Sequence, residues 1–286
     1  MTQHDLLDLK IRAAQCRLNV LRMLKAGGHG HVGGAFSALD IITALYFYKM
    51  RIQPQNPGWE DRDRFLLSAG HKALAQYSVL AEKGFFPKTL LDTYGSLDCK
   101  LPGHPDMHKL PGIEANTGAL GHGLSIAVGM ALSLRLQQKP SQVYVVLGDG
   151  ELAEGSNWEA AAAAAHYHLG NLVAFIDFNG LQISGRVQTI MNLTPISEHF
   201  SAFGWSVTDI DGNSMEEIVR TLDRLPLAAD RPTAVVAHTV KAKGLSFGED
   251  DVAYHFWNAD EAHLAQATAE LSALIEQYRA EQEVLA

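Results

Sequence analysis

Residues 142–150, QVYVVLGDG, and residues 172–180, LVAFIDFNG, are the two segments that decide the fold. Each is a run of apolar, β-rich residues that stops at a polar turn, GDG at 148–150 and NG at 179–180. Such apolar runs predict neighbouring strands of a buried parallel sheet. Ligands of open α/β sheets bind at the carboxyl ends of the strands, so we expect both turns to border one site.

The two turns carry groups that suit a metal ion and a phosphate. Asp149 supplies a carboxylate and Asn179 an amide oxygen, which Mg²⁺ or Ca²⁺ combines with phosphate oxygens and water. Gly148 and Gly150 let the backbone approach a phosphate, and the following helix points its positive end at the same place. A strand-end turn capped by Asp149 is the simpler alternative. A dinucleotide-binding loop is another, but its third glycine, Gly155, is misplaced.

Strand and helix signals alternate along the C-terminal half of the chain. Strands are predicted at 142–147, 172–178, 205–210 and 233–238, and helices at 154–168, 195–203 and 214–225. The last of these helices opens with Ser214 and Glu217, which have the spacing of a capping box. Apolar strands with helices between them predict an α/β fold with a mostly parallel central sheet and helices on both faces.

The N-terminal half is more helical. Helices are predicted at 6–25, 37–50, 72–83 and 118–136, and a charged amphipathic helix at 258–283 forms the tail. One face of the fourth helix would carry the small residues Gly118, Gly121, Ser125 and Gly129. That face suits close packing within one chain or at an interface between chains equally well. We expect residues 1–286 to form a single domain with a C-terminal helical tail.

Composition and charge narrow the class of protein. The chain has 286 residues, 47% of them hydrophobic, so it can bury a sizeable core and is not disordered. Its net charge of −9 disfavours nucleic acid and anionic membranes as partners. The start, MTQHDLLDLK, lacks the features of a signal peptide, and no apolar run reaches membrane-spanning length. Cys16 and Cys99 are the only cysteines, so we expect a reduced, cytoplasmic protein.

Histidines in glycine-rich loops are the second functional signal. Five of the 13 histidines directly follow a glycine, namely His29, His31, His71, His104 and His122. Several imidazoles held in such loops suggest convergence on a ligand, since neutral imidazole can hydrogen-bond phosphates and hydroxyls and exchange protons near neutral pH. A zinc site at His104, Asp106 and His108 is the alternative, without support from a cysteine or an HExxH pattern.

Six segments carry one further pattern, in a fixed order. They are GHVGG (30–34), LSAGHKALAQY (67–77), LPGHPD (101–106), TGALGHGLSIAVGMAL (117–132), GDGELAEG (148–155) with IDFNG (176–180), and TVKAKGLSF (239–247) followed by His255. Together they resemble the transketolase family over most of the chain. The fourth segment is similar to the family's TGxLGQGxxxAVGMA, and the fifth to its thiamin-diphosphate motif. The resemblance implies the thiamin-diphosphate-binding fold.

The resemblance also assigns a cofactor and a metal ion to the predicted site. It implies that Asp149, Asn179 and the backbone carbonyl of Leu181 bind Mg²⁺, for which Ca²⁺ or Mn²⁺ can substitute. His71 and His255 would contact the diphosphate of thiamin diphosphate. These roles agree with the metal and phosphate chemistry that the two strand-end turns indicate.

Further implied residues lie along the cofactor and around the substrate. His31 and His104 would face the reacting end of a sugar. Gly118 and Leu120 would lie along the cofactor, and Ile183 would pack near its aminopyrimidine or thiazolium ring. The resemblance therefore predicts that loops distant in sequence converge on the turns at 148–150 and 179–180.

Glu154 matches a family glutamate in the polar network that joins paired active sites. The sequence departs from the family pattern in three places. His29 adds a residue to the first loop, so that either His29 or His31 could be the site histidine. His122 replaces a glutamine, and Phe256 replaces the glycine after the last histidine, which changes the expected shape of the acceptor channel.

Beyond His255 only a helical segment follows, whereas the family has a pyrimidine-binding domain and a third domain. Those domains supply the glutamate that activates the aminopyrimidine. We therefore expect the first subunit of a two-component transketolase, which transfers a two-carbon ketol unit from a ketose to an aldose. It would act only with a C-terminal transketolase subunit, in a heterotetramer. The alternatives are a subunit of a deoxyxylulose-phosphate or dihydroxyacetone synthase, and a non-catalytic cofactor-binding homologue.

Overall fold

A five-stranded parallel sheet forms the centre of the molecule in the computed structural model, which describes residues 2–285. Its strands are β2 (Arg64–Leu67), β3 (Val143–Gly148), β4 (Leu172–Phe178), β5 (Ser206–Asp211) and β6 (Thr233–His238). The strands lie in the order β2-β3-β4-β6-β5. A separate two-stranded antiparallel ribbon pairs β1 (His29–Gly30) with β7 (Trp257–Asn258). The predicted α/β fold with a parallel central sheet is confirmed.

Helices cover both faces of the sheet. They are α1 (Gln3–Gly27), α2 (Val32–Ala44), α3 (Ala73–Lys83), α4 (His122–Leu136), α5 (Gly155–His166), α6 (Val187–Ile190), α7 (Ile196–Ala202), α8 (Met215–Arg224) and α9 (Glu261–Leu285). One apolar layer joins the sheet to α1, α2, α3, α8 and α9, and the other joins it to α4, α5 and α7. Side chains of β3 alternate between the layers, with Tyr144 in the first and Val145 in the second, because successive residues of a strand point to opposite faces.

The strand register places the two polar turns side by side. Gly148, the last residue of β3, lies opposite Asp177 of β4. One further backbone hydrogen bond, from the nitrogen of Asp149 to the oxygen of Asp177, continues the ladder past the end of β3 at 3.3 Å. The turns at 148–150 and 179–180 therefore border the same edge of the sheet, as the sequence predicts.

Two segments near the N-terminus differ from the prediction. Strand β2 was not predicted, because its four residues are too short a run to show a period. Helix α2 begins at Val32 instead of residue 37, since Gly33 and Gly34 lie inside it. Glycine disfavours helix in isolation, so the sequence pattern placed the start too late. The remainder of the predicted helix, from Leu45 to Lys49, is a π-helical turn.

The predicted glycine face of the fourth helix is wrong in part. Helix α4 starts at His122, and Gly118 and Gly121 lie before it with φ of +150° and +83°. A positive φ is incompatible with right-handed helix, so the helix cannot extend back through these glycines. Only Ser125 and Gly129 remain on α4, and both are exposed.

The predicted capping box at the start of α8 forms only in half. The Ser214 hydroxyl accepts a hydrogen bond from the backbone nitrogen of Glu217 at 3.3 Å. The Glu217 carboxylate does not return to Ser214 but accepts from the backbone nitrogen of Asp211 at 2.8 Å. Asp211 takes over the second half, because its own carboxylate accepts from the nitrogen of Ser214 at 3.2 Å. A complete capping box instead opens α1 at Thr2 and Asp5.

The C-terminal helix packs along the first one. Helix α9 buries Ala267, Leu271 and Ile275, which recur at the spacing of one helical face. Within residues 2–285, no helix combines the length and the apolar character that crossing a membrane requires.

Candidate active site

A cavity of about 230 Å³ opens at the carboxyl ends of β3 and β4. Eleven of the 13 residues that the sequence assigns to the site line it: His31, His71, Gly118, Leu120, Gly148, Asp149, Gly150, Asn179, Leu181, Ile183 and His255. They come from six separate loops, so the fold brings together residues that are up to 224 positions apart. His104 and Glu154 do not line the cavity.

Asp149 is buried at the base of the cavity. Its carboxylate accepts hydrogen bonds from the backbone nitrogens of Gly150 at 2.8 Å and Gly180 at 2.6 Å, so it ties the two turns together. Burial, and secondly the nearby carboxylate of Asp177, raise the pKa of Asp149 to about 6. A carboxylate whose charge is disfavoured in this way is a good ligand for a cation, which would offset both effects.

The turn after β4 presents two more oxygens. The amide oxygen of Asn179 accepts from the nitrogen of Leu181 at 3.1 Å, and Gly180 provides the positive φ of +73° that this turn needs. The carbonyl oxygen of Leu181 accepts from the Lys241 ammonium at 3.1 Å. The cavity therefore holds a carboxylate, an amide oxygen and a backbone carbonyl, the type of oxygen donors that Mg²⁺ binds.

Three histidines form another part of the cavity lining. The ring centroids of His31, His71 and His255 are each 5.4 Å from the other two. Burial is the main cause that lowers their pKa values, to about 4 for His31, about 2 for His71 and about 4 for His255. The neighbouring lysines, Lys72 and Lys241, add to the effect. All three rings are therefore neutral at neutral pH, so each has one nitrogen that donates and one that accepts.

His104 lies at the rim of this cluster. Its ring is 6.3 Å from the ring of His31, and it packs on Gly118, where an added Cβ would lie 3.0 Å from its Cδ2. The Tyr77 hydroxyl anchors the loop through the carbonyl oxygens of Pro102 at 2.8 Å and His104 at 3.0 Å. The side chain of His104 is exposed, and its loop is fixed next to the cavity mouth.

Of the two first-loop histidines, the structure places His31 in the cavity. His29 is exposed on β1, with its ring 5.4 Å from that of Phe256. Phe256 also packs edge-on against His31 at 4.9 Å, so it stands beside the cavity opening. His122 is exposed at the start of α4, outside the lining.

Glu154 lies outside the cavity, and another acidic residue of the same segment lies inside it. Glu154 is exposed and packs against Gly121. Glu151 is buried and accepts three hydrogen bonds, from the Ser68 hydroxyl at 2.5 Å and the nitrogens of Gly121 at 2.9 Å and Gly148 at 3.1 Å. Glu151 thus joins three loops that border the cavity. The sequence did not single it out, although acidic residues in a first helical turn are a common cap signal.

We expect Glu151→Gln to lower the free energy of unfolding by about 1–3 kcal/mol, because all three contacts are donors and an amide nitrogen would face one of them. Urea unfolding followed by circular dichroism measures the change. Glu159→Gln, on the exposed face of α5, is the matched control, with an expected change within about 0.5 kcal/mol. Equal unfolding midpoints for the two variants would contradict the role of Glu151 as a structural acceptor.

Two lysines that line the cavity, Lys72 and Lys241, were not assigned to the site, although both lie in segments of the family pattern. The Lys72 ammonium is 2.6 Å from the Asp177 carboxylate, and both side chains are buried. The Lys241 ammonium donates to Leu181 and lies 3.2 Å from Nδ1 of His255. Burial lowers the pKa of Lys241 to about 8, and the charge on Lys72 adds to this. Lysine is almost never buried unless it is paired. The burial of these two lysines therefore depends on partners that are distant in the sequence, and composition does not predict it.

The residues present fit a diphosphate bound through a metal ion. Among residues 2–285, no three His, Cys, Asp or Glu side chains cluster as metal ligands, so the zinc alternative at His104, Asp106 and His108 has no geometric support. A cation at Asp149 would instead complete its shell with phosphate and water. The buried amide nitrogen of Gln182, which also lines the cavity, has no hydrogen-bond partner within residues 2–285 and suits an acceptor on a ligand.

Comparison with known proteins agrees with this geometry. The family described as "Transketolase, thiamine diphosphate binding domain" matches residues 10–285. A 6-deoxy-6-sulfo-D-fructose transketolase subunit from Clostridium sp. (strain MSTE9) is 43% identical, over 93% of this chain and 96% of that protein. An apulose-4-phosphate transketolase subunit from Phocaeicola vulgatus is 40% identical, over 96% of this chain and 97% of that protein.

The fold also matches that of larger enzymes. The crystal structure of transketolase from Campylobacter jejuni superposes with a TM-score of 0.88 and 29% sequence identity. The match covers 95% of this chain but only 43% of the Campylobacter chain. The chain therefore spans nearly the whole length of the two similar subunits and less than half of that transketolase.

Proposed function

The chain belongs to the transketolase family, and we propose that it is the thiamin-diphosphate-binding subunit of a two-component transketolase. The observation that carries this proposal is the cavity that Asp149, Asn179 and Leu181 line together with three neutral histidines. The relatives that are named as transketolase subunits match this chain along almost their entire length.

We propose that Asp149, Asn179 and the Leu181 carbonyl hold Mg²⁺, with His71 and His255 next to the diphosphate. Gly118, Leu120 and Ile183 would line the path of the cofactor's rings. When bound, thiamin diphosphate supplies the nucleophilic carbon that attacks a ketose carbonyl and carries the two-carbon unit. Titration calorimetry with thiamin diphosphate, with and without Mg²⁺, tests this assignment, since binding without metal dependence would contradict it.

The chain's own part of the reaction lies with neutral imidazoles. His31, at the centre of the histidine cluster, can donate to one hydroxyl of a sugar and accept from another. His104 extends this set toward the rim, and we propose that it also faces the reacting end of the sugar. We propose a ketose donor and an aldose acceptor of the phosphosugar or sugar-acid class, since the names of the relatives include a sugar phosphate and a sulfonated sugar.

We propose that the partner is a C-terminal transketolase subunit, and that two such pairs assemble around a two-fold axis as a heterotetramer. Glu154, exposed beside Gly121, and the exposed face of α4 are the parts we place at or near the interface. We further propose that residues 1–286 act as one domain with a helical tail, supported by the packing of α9 on α1. The two free cysteines favour a cytoplasmic location.

We expect His104→Ala to lower the turnover number of the complete enzyme by roughly 100-fold, the usual scale for a group that positions or transfers a proton. Cofactor affinity should stay unchanged, because His104 lies at the rim and not among the residues around Asp149. Steady-state kinetics at saturating cofactor, together with calorimetry, separate the two effects.

His108→Ala is the matched control for His104, because it lies in the same loop and is exposed. Its turnover should equal that of the wild type. A His104 variant with normal turnover at saturating cofactor and weakened cofactor binding would move His104 from the substrate end to the diphosphate end of the site.

A further inference from the structure

A buried ion pair lies directly behind the candidate metal ligands. The Lys72 ammonium is 2.6 Å from one oxygen of Asp177, and the side chains are 3% and 0% exposed. Asp177 also accepts hydrogen bonds from the hydroxyls of Ser37 and Thr239 and, at 3.3 Å, from the Asn179 amide. Asp177 thus has four donors, and three of them are neutral groups that remain if the lysine is removed.

The fold makes space for the stem of this lysine. At Gly34 in α2, an added Cβ would lie 2.9 Å from Cε of Lys72 and 3.1 Å from its Cγ. At Gly33, an added Cβ would lie 3.0 Å from Cε of Lys241. The absence of side chains at Gly33 and Gly34 therefore leaves room for the aliphatic stems of Lys241 and Lys72 to pack on α2. Both stems lead to the cavity, which Lys72 and Lys241 line.

The Lys72 ammonium has unused hydrogen-bond donors and lies next to the GDG turn at 148–150. In the part of the chain that the structure describes, it makes one hydrogen bond, to Asp177, although an ammonium group has three donors. Its Nζ lies 3.4 Å from the place that a Cβ on Gly148 would occupy, next to the start of the GDG turn. A buried donor aimed at a cavity indicates a ligand that accepts from it.

The charges around the cavity explain why an additional cation is needed there. Asp149, Glu151 and Asp177 place three carboxyl groups around a site that is proposed to hold an anionic diphosphate. The chain as a whole is acidic, so its long-range field opposes an anion as well. Local positive charge must come from the metal ion and from Lys72 and Lys241.

We propose that Lys72 is a diphosphate ligand, which donates to the diphosphate of the cofactor while it remains paired with Asp177. The inference rests on the proposed function, because it takes thiamin diphosphate as the occupant of the cavity. Gly34 is part of the same arrangement, since any larger residue there would displace the lysine stem.

The test compares Lys72→Met with the double variant Lys72→Met/Asp177→Asn. The single variant removes the ammonium but leaves a buried carboxylate without its counter-ion, whereas the double variant removes both charges. Titration calorimetry with thiamin diphosphate and with inorganic pyrophosphate, each with Mg²⁺, measures affinity on the reconstituted complex. Circular dichroism and thermal melting report whether each variant folds.

We expect both variants to bind each ligand about tenfold or more weakly than the wild type, the scale of one lost charge-assisted hydrogen bond. Wild-type affinity in the double variant would overturn the proposal, because Lys72 would then serve only as the counter-ion of Asp177. If the wild-type complex itself bound no thiamin diphosphate, the proposed function would fail instead. The two failures are therefore distinguishable.

A second measurement needs no variant. In a crystal structure of the wild-type complex with thiamin diphosphate and Mg²⁺, we expect Nζ of Lys72 within about 3.2 Å of a diphosphate oxygen. A separation too long for a hydrogen bond would contradict the proposal, even if the variants failed to fold.

Discussion

Replacing Asp149 by alanine is expected to abolish Mg²⁺-dependent binding of thiamin diphosphate while the fold persists. The affinity should fall by roughly 100-fold or more, since replacing even an outer partner of a metal ligand costs 10- to 100-fold. Asp149 provides the one carboxylate among the three proposed metal ligands, so its replacement removes the negative charge from that ligand set. Wild-type protein at a ligand concentration 100 times the Kd should gain about 2.7 kcal/mol of stability, and the variant should gain almost none.

The fold should tolerate this substitution because the charged form of the Asp149 carboxylate is energetically unfavourable in the ligand-free site. Burial and the charge of Asp177 raise its pKa to about 6, which means that the ligand-free site disfavours the ionised form. Its removal frees the backbone nitrogens of Gly150 and Gly180, and both glycines are partly exposed, so that water can replace the carboxylate. We therefore expect a circular dichroism spectrum like that of the wild type.

Asp209→Ala is the matched control for Asp149. Asp209 belongs to β5 of the same sheet, but its carboxylate is exposed and lies 3.0 Å from His238, away from the cavity. Cofactor affinity should be unchanged in this variant. Unchanged affinity in a folded Asp149→Ala protein would contradict the metal assignment.

The sequence predicted the sheet and most of the cavity because both depend on local signals. The runs that end at Gly148 and Phe178 are apolar except for Asp177, and strands buried on both faces have this character. The turn at Gly180 needs a positive φ, which glycine adopts readily and other residues rarely do, so the glycine marks the turn in the sequence. The resemblance to transketolases then supplied the distant loops, which no periodicity connects.

The sequence did not predict features that depend on contacts between distant segments. The choice between His29 and His31 needed the position of β1, which pairs with β7 near the other end of the chain. Lys72 and Asp177 are 105 positions apart, and no local pattern indicates that their side chains form a pair.

The two glutamates of the GDGELAEG segment illustrate the same limit. Glu151 and Glu154 are the same residue type and occupy nearly the same position in the chain. They differ in their contacts with other segments, because the Ser68 hydroxyl and the Gly121 nitrogen donate to the buried Glu151 carboxylate, whereas Glu154 is exposed.

The second large expected effect is the loss of activity without the partner subunit. We expect the chain by itself to show no ketol transfer. The mouth of the cavity exposes apolar side chains, with Ile183 73% and Leu120 36% exposed. Ile190 and Met191, in the segment after Ile183, are also exposed. Apolar groups around a cofactor site that stay open to water suit coverage by another polypeptide. In this cofactor class a carboxylate must also face the aminopyrimidine, and the transketolase family places it on a different domain.

We therefore expect the chain alone to bind thiamin diphosphate weakly. With a C-terminal transketolase subunit, it should gain activity and assemble as two pairs around a two-fold axis. The partner should be of similar size and acidic to neutral. Ile183→Asp, at the exposed cavity mouth, should weaken this assembly, whereas Leu97→Asp, exposed but not part of the cavity lining, should not.

The most direct test is to express the chain alone and together with the product of the neighbouring reading frame, and to compare ketol transfer and mass. Activity is measured with a panel of ketose donors and aldose acceptors, and mass by light scattering. The two-component account predicts no transfer by the chain alone, and transfer by a complex that contains two copies of each of the two polypeptides. Full ketol transfer by the chain alone would contradict the account, even if the cofactor site proved correct.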